Sequence, residues 1–448
     1  MEKHKSLWKT LLLMAVGIGL VPLIFNALFV GGASRRIEAE LQRIKARGEP
    51  VSCEELAGPP VPDAWNAALV YEQAFKLVKS PPTSNHVEFL ENLYASSRWP
   101  LSDSKQLRRA LQAVTELSHL FDLLDQASKK PCCRFQVNWS NGFETLFPHY
   151  SYLRQLAKVA SAAAVLSAQI GEADSAVRFL RLALSMEESI RDEPILIGLL
   201  VRKAILSVVL SALRETLDLV DLTDEQAEVL FNELGKVDLM GAYKNALIGE
   251  RVFGLWAFEQ ARGNLTGVQG LFSPGTSHSL WAVASGVVWH YWFSNVDECA
   301  YLAFMRRQID LADVPYRDIK KKKVHLPDET DIPRHALLTR MISMLPTRLV
   351  LMRDGRIADI AVAQVALAAE AYKSRFGSYP RSIRELKMKL GWKLPVDPFS
   401  GLDLRFKPKR NGYLVYSIGG DLKDDGGKPT AESLRYDLPG DIVWSKSD

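Results

Sequence analysis

The sequence predicts a mainly α-helical chain with three parts. These are an N-terminal transmembrane helix, an antiparallel helical bundle or irregular α-solenoid, and a small α+β module at the C-terminus. Three observations carry this. Leu11–Val30 holds no charged residue, and apolar residues then recur at helical spacing from Asp63 for roughly three hundred positions. Beyond Asp354 the pattern turns to short alternating runs between Gly and Pro. The implied divisions are 1–34 (tail and anchor), 35–62 (stem and linker), 63–353 (helical part) and 354–448 (α+β part).

The chain has 448 residues, 47% hydrophobic and 24% charged, enough for several cores and too apolar for disorder. Lys and Arg total 56 against 52 Asp and Glu, a formal charge of +4. Spread over this length, that balance predicts no nucleic-acid surface. Four cysteines, Cys53, Cys132, Cys133 and Cys299, lack the C-x-x-C spacing of zinc or thioredoxin-like sites.

The first element is LLLMAVGIGLVPLIFNALFV, Leu11–Val30. At about 1.5 Å per residue it spans roughly 30 Å, the hydrocarbon thickness of a bilayer. Membrane contact through residues 11–30 is therefore expected, with an uncleaved anchor favoured over a signal peptide, whose apolar stretch is usually shorter, about 7–15 residues. Gly31, Gly32, Ala33 and Ser34 keep cleavage open as the alternative. Lys3, Lys5 and Lys9 precede the segment, and Arg35, Arg36, Arg43, Lys45 and Arg47 follow it. Local charge leaves the orientation undecided, because large domains translocate largely regardless of it.

Residues 35–47 read as a charged helix leaving the membrane, and Glu49–Pro62, with four prolines, as a linker. Ala67, Val70, Tyr71, Ala74, Leu77 and Val78 mark one apolar helix face; Leu107 to Leu124 mark another. Three helices follow between Tyr152 and Leu217, with a turn at Gly171 and a break near Pro194. The last, ILIGLLVRKAILSVVLSAL, contains Arg202 and Lys203 and reads as a buried core helix rather than a second span. Residues 263–279 are loop-like. Leu280–Phe293 is rich in aromatics, and core packing is the reading favoured for Trp281, Trp289 and Trp292 over a pocket or lipid contact. Lys320–Lys323 reads as a solvated basic loop.

The C-terminal part opens with an Ala-rich helix, Ile357–Phe376, stopped by Gly377. A short helix near Ser382–Leu390 and a turn at Gly401 come next. Leu404–Phe406 and Tyr413–Tyr416 alternate as two strands about the Arg410-Asn411-Gly412 turn. An acidic, Gly-rich loop and Asp441-Ile442-Val443-Trp444 close the chain.

This order (Ala-rich helix, Phe-Gly-Ser-Tyr-Pro, Leu-Pro-Val-Asp-Pro-Phe, Tyr-Ser-Ile-Gly-Gly-Asp, Asp-Ile-Val-Trp) resembles the globular head of the major pseudopilin of type II secretion systems. The resemblance covers roughly the final ninety residues and implies a pseudopilin-like α+β domain at 354–448. In two respects the chain departs from the family. Leu11–Val30 lacks the glutamate of a pseudopilin's membrane helix, and more than three hundred residues separate it from the head.

In that family the loop after the Tyr-Ser-x-Gly strand binds calcium. The resemblance implies Ca2+ at Asp421 and Asp441, with Asp424 and Asp425 in the intervening loop; Leu422 stands where the family has glycine. Calcium takes six to eight oxygens, which carboxylates and the carbonyls of a Gly-rich loop can supply. A weak calcium loop of extracytoplasmic type would be largely empty in the cytosol. The bulk of the chain is thus expected on the extracytoplasmic side of the inner (cytoplasmic) membrane, crossed once. There the cysteines could oxidise, Cys53 with Cys132 or Cys133, or stay as buried thiols.

No H-E-x-x-H, G-x-S-x-G or Walker-type loop appears. Glu250 and Glu259 lie two and a half turns apart, about 13.5 Å, on opposite sides of one helix. The expected function is a non-enzymatic, membrane-anchored interaction protein with a protein partner and no small-molecule substrate. A link to secretion or pilus-like machinery follows from the resemblance alone. The alternative is an envelope hydrolase with a pocket near Glu250 and Trp289.

Overall fold

The structure is a computed structural model that describes residues 31–96, 98–263, 289–343, 348–430 and 435–446, except for the Trp292 side chain. The apolar segment 11–30, residues 264–279 of the expected loop, and Trp281 lie outside these residues. The described chain is mainly helical, with a small three-stranded antiparallel sheet.

Helix α1 (Gly31–Ala46) contains the charged helix expected at 35–47. The following linker is not free. Its Cys53 and Leu56 are buried among Trp139, Ile195, Val252 and Phe253, and Glu49 pairs with the buried Arg251 at 2.7 Å. Helices α2 (Ala68–Val78), α3 (Thr83–Ser96), α4 (Ser104–Glu116) and α5 (Ser118–Ser128) lead to the centre of the fold.

That centre is α6 (His149–Gln169), α7 (Ala173–Glu188) and α8 (Leu196–Leu219), each packed on the other two. An almost continuous run of Ala and other small side chains, Ser161 to Ala164, lets α6 approach its neighbours closely. Gly171 turns the chain at φ +83, where a side chain would be strained. By length and composition α8 is apolar enough to cross a membrane, yet it is enclosed by α6 and α7. Its Arg202 is buried and bonds the equally buried Glu187 at 2.6 Å, so one of the two charges that argued for a core helix is used inside the core.

Helices α9 (Asp224–Gly235) and α10 (Leu239–Gly263) follow, the former with a Thr223–Gln226 capping box. After residue 288 the chain resumes with a π-helical turn (Trp289–Phe293), α11 (Ser294–Asp310), α12 (Tyr316–Lys321) and α13 (Leu337–Ile342). The expected basic loop at Lys320–Lys323 thus begins on a helix; Lys320 lies over the ring of Tyr316, one turn back.

Helix α14 (Arg348–Phe376) is largely buried and packs on α9 and on the sheet. It has already begun at Arg348, so the division expected at 353/354 falls inside a continuous helix. The Arg353–Asp354 pair at this point is buried and satisfied within the core. Arg353 donates to the carbonyls of Ala312 and Val314, while Asp354 accepts the N–H of Tyr316 at 2.7 Å. Gly377 ends α14 at φ +75, as expected.

Helix α15 (Ile383–Leu390) is capped by Ser382. Strands β1 (Arg405–Lys409), β2 (Gly412–Ser417) and β3 (Ile442–Lys446) form an antiparallel sheet in that order, with Lys409 opposite Gly412 at the expected turn. One hydrophobic cluster runs from Ala67 through α6–α9 and α14 to Trp444. The sheet and the helices therefore share a core.

Candidate functional site

The four tail carboxylates come first. Between β2 and β3 the loop is drawn in by close backbone approaches: a Cβ on Gly419 would stand 2.4 Å from the carbonyl oxygen of Gly440. Asp441 is buried, and its carboxylate accepts the N–H of Gly427 at 2.6 Å and of Asp425 at 3.4 Å. Burial raises its pKa, those two N–H groups lower it, and the carboxylates of Asp424 and Asp425 raise it again; the net direction is up. Beside it, Oδ2 of Asp425 is shut off from solvent with no hydrogen-bond partner.

Asp424 turns elsewhere. It accepts from Tyr416 at 3.0 Å and pairs with Arg405 at 3.1 Å. Burial alone would raise its pKa, but the N–H of Gly426, Arg405 and Tyr416 hold it below the usual range. Asp421 accepts the N–H of Lys423 at 3.1 Å within its own turn. Leu422, in the place of the family glycine, has φ +62, so the left-handed turn is kept by a residue that adopts it at a cost of roughly 1–2 kcal/mol.

The structure thus brings Asp425 and Asp441 together and leaves Asp421 and Asp424 engaged with their own neighbours. The unpartnered, dehydrated Oδ2 of Asp425, beside the buried Asp441, is the kind of oxygen a hard cation takes. Asp425 and Asp441 would hold it, and loop carbonyls would complete an oxygen set. Among the described residues, the group of three potential ligands gathered within 4.8 Å is a different one, His325, Asp328 and Asp331. There Asp331 bonds His325 at 2.7 Å and Arg307 at 3.3 Å, and Asp328 caps a turn through the N–H of Thr330.

The residues named for a hydrolase serve packing. Glu250 accepts the N–H of Leu196 at 3.0 Å and so caps the N-terminus of α8; burial raises its pKa, against the pull of that N–H. Trp289 is buried and donates to Asp297 at 2.8 Å, the core role expected of it. All four cysteines are free thiols. Burial pushes Cys53 up to about 11, with Glu54 and Glu259 adding to it.

A concave site not foreseen lies elsewhere. Where the ends of α5 and α9 meet α7, a groove of about 400 Å³ opens, lined by Lys129, Cys132, Arg181, Ser185, Arg191 and Lys236 among others. Several of its charges are tied in pairs: Arg178 to Asp125, Arg181 to Glu233 at 3.8 Å, Lys236 to Glu233 at 2.9 Å, and Arg191 to Glu188 and Asp192, while Lys130 donates to the carbonyl of Ala64. Cys133, on its wall, has its thiol pushed well up by burial and then by Glu193. The acidic turn after α6 was visible in the sequence. The meeting of three helix ends from distant parts of the chain was not.

Compared with protein-family models, curated proteins and solved structures, the chain finds no match in any of the three.

Proposed function

We propose that the protein is a membrane-anchored, extracytoplasmic interaction protein whose groove between α5, α7 and α9 receives a segment of a protein partner. One observation carries this reading: the groove is concave and ringed by charged side chains of both signs, several of which are tied to one another. Hydrolysis calls for titratable groups left free to converge on a reacting atom. Small-molecule pockets of this size usually hold only a few polar groups, whereas this groove is ringed by charged ones. A rim of both charge signs instead suits a polypeptide whose own charges alternate, and gives it register.

Residues 11–30 hold the chain in the inner membrane, and calcium at Asp425 and Asp441 rigidifies the pseudopilin-like head. Support for the head comes from a long helix packed on a three-stranded sheet with an acidic loop between its second and third strands. An association with secretion or pilus-like machinery rests on the sequence resemblance.

The test is site-specific photo-crosslinking in intact cells, with the photoreactive residue at Arg181 or Lys129 in the groove and at Arg108 on the exposed face of α4. The reading expects a discrete protein adduct from the groove positions and none from Arg108. Adducts from neither, or equally from all three, would overturn it.

A further inference from the structure

The first turns of α11 tie together three chain segments that lie far apart in sequence. Asp297 is fully buried, and its carboxylate accepts four bonds: from Trp289 Nε1, from the N–H groups of Leu338 and Thr339, and from the Thr339 hydroxyl. It thereby fixes the π-helical turn and α13 to the start of α11. Two residues to either side, Asn295 donates to the hydroxyl of Ser34 at 2.9 Å and Cys299 to the carbonyl of Ala33 at 3.3 Å. From Asn295 to Cys299 is about 6 Å of helix. The π-helical turn, α13 and the beginning of α1 therefore share one end of the fold.

That end carries exposed apolar side chains. Tyr291 is 57% exposed, Leu337 40% and Met341 43%; the last two are one helical turn apart on the same face of α13. Exposed arginines stand close by in sequence, Arg35 and Arg36 on α1 and Arg334 just before α13. The chain that enters at Gly31 comes directly from twenty uncharged residues, 11–30.

We propose that this end of the fold is a second membrane contact, in which Tyr291, Leu337 and Met341 enter the interface of an anionic phospholipid bilayer while Arg35, Arg36 and Arg334 meet its headgroups. The inference rests on the reading of residues 11–30 as an anchor. Where the preceding chain ends decides the occupant: a folded body tethered at Gly31 presents its Gly31 end to the bilayer. Apolar groups flanked by arginine suit an acyl–headgroup boundary. The consequence is a body held in one orientation on the membrane rather than swinging on its stem.

The experiment reconstitutes the full chain into vesicles of phosphatidylcholine and phosphatidylglycerol carrying a diazirine-labelled phospholipid, and maps adducts by mass spectrometry. Labelling is expected on 11–30 and on Tyr291, Leu337 and Met341, but not on the similarly exposed Met388 and Leu402. A Leu337→Glu, Met341→Glu double variant is expected to lose the adduct at Tyr291 and keep those on 11–30. Adducts confined to 11–30 overturn the second contact and leave the anchor standing; that is also the result if a protein covers this face. Adducts on neither overturn the anchor itself. Equal labelling in phosphatidylcholine alone overturns the part given to the arginines.

Discussion

Replacing Lys203 by Met should stabilise the protein at neutral pH. Lys203 sits on α8, only 8% exposed, and among the described residues no hydrogen bond or ion pair reaches its ammonium. Burial, and after it the positive charge of Arg356, lower its pKa from 10.5 to about 8, against a smaller upward pull from Asp359. A difference of this size corresponds to roughly 3 kcal/mol, at about 1.4 kcal/mol per pH unit. Between pH 8 and 10.5 the unfolded chain holds a proton on Lys203 that the folded chain does not, so stability rises with pH across that window. Below it both states are protonated and the full penalty is present. Met has similar length, no charge and a flexible stem that fills the same space. Asp359 keeps partners in the variant, with Arg356 at 3.1 Å and the Tyr436 hydroxyl at 2.5 Å. Thermal melts of both proteins in the same detergent, at pH 7 and again near pH 10, give the comparison. Lys203→Met is expected to melt a few degrees higher at pH 7, with the advantage shrinking toward pH 10. A variant no more stable at pH 7, or a gap indifferent to pH, would refute the claim that an uncompensated charge is buried there.

Other outcomes follow from the same geometry. Calcium should raise the melting temperature of the full chain, and Asp425→Asn or Asp441→Asn should abolish the rise while Asp424→Asn leaves it; loss in all three variants would instead restore the larger ligand set. Without divalent cations, the raised pKa of Asp441 means that the folded state holds its proton more tightly than the unfolded. Its contribution to stability should therefore grow as pH falls through the folded value, and Asp441→Asn should flatten that dependence in a pH series of melts. Glu250→Ala should cost roughly 1–2 kcal/mol by removing the α8 cap, read as a lower melting temperature, with Glu250→Gln restoring most of it. Asp297→Ala should cost roughly 3 kcal/mol or more, since four donors lose their acceptor, and should expose α13 to limited proteolysis.

The regular parts of the fold were legible in the sequence. Gly171, Gly377 and the Arg410–Gly412 turn each impose a local conformation, and the elements around them fall where periodicity puts them. What the pattern does not show is how charges are buried. The boundary was expected where the pattern changes after Asp354, but carbonyls at Ala312 and Val314 and the N–H of Tyr316 satisfy Arg353 and Asp354 inside the core, and the helix runs straight through it. Four prolines marked Glu49–Pro62 as a linker, and nothing nearby in sequence shows that Glu49 pairs with Arg251, two hundred residues on. The same holds at the sites. Four aspartates in one short region suggested four ligands, yet Arg405 and Tyr416 take Asp424 away, a competition between side chains on separate strands. Asp297, His149 with Glu193, and the groove all depend on contacts between distant segments, and single-residue patterns carry no trace of them.

Hydrogen–deuterium exchange of the full chain in native membrane vesicles, set against the detergent-purified protein, tests the docking claim most directly. The account expects added protection at the ends of α5 and α9 and along the groove face of α7, where a bound polypeptide would cover amides, with little change on α4. Exchange in these segments that is the same in both preparations would contradict it.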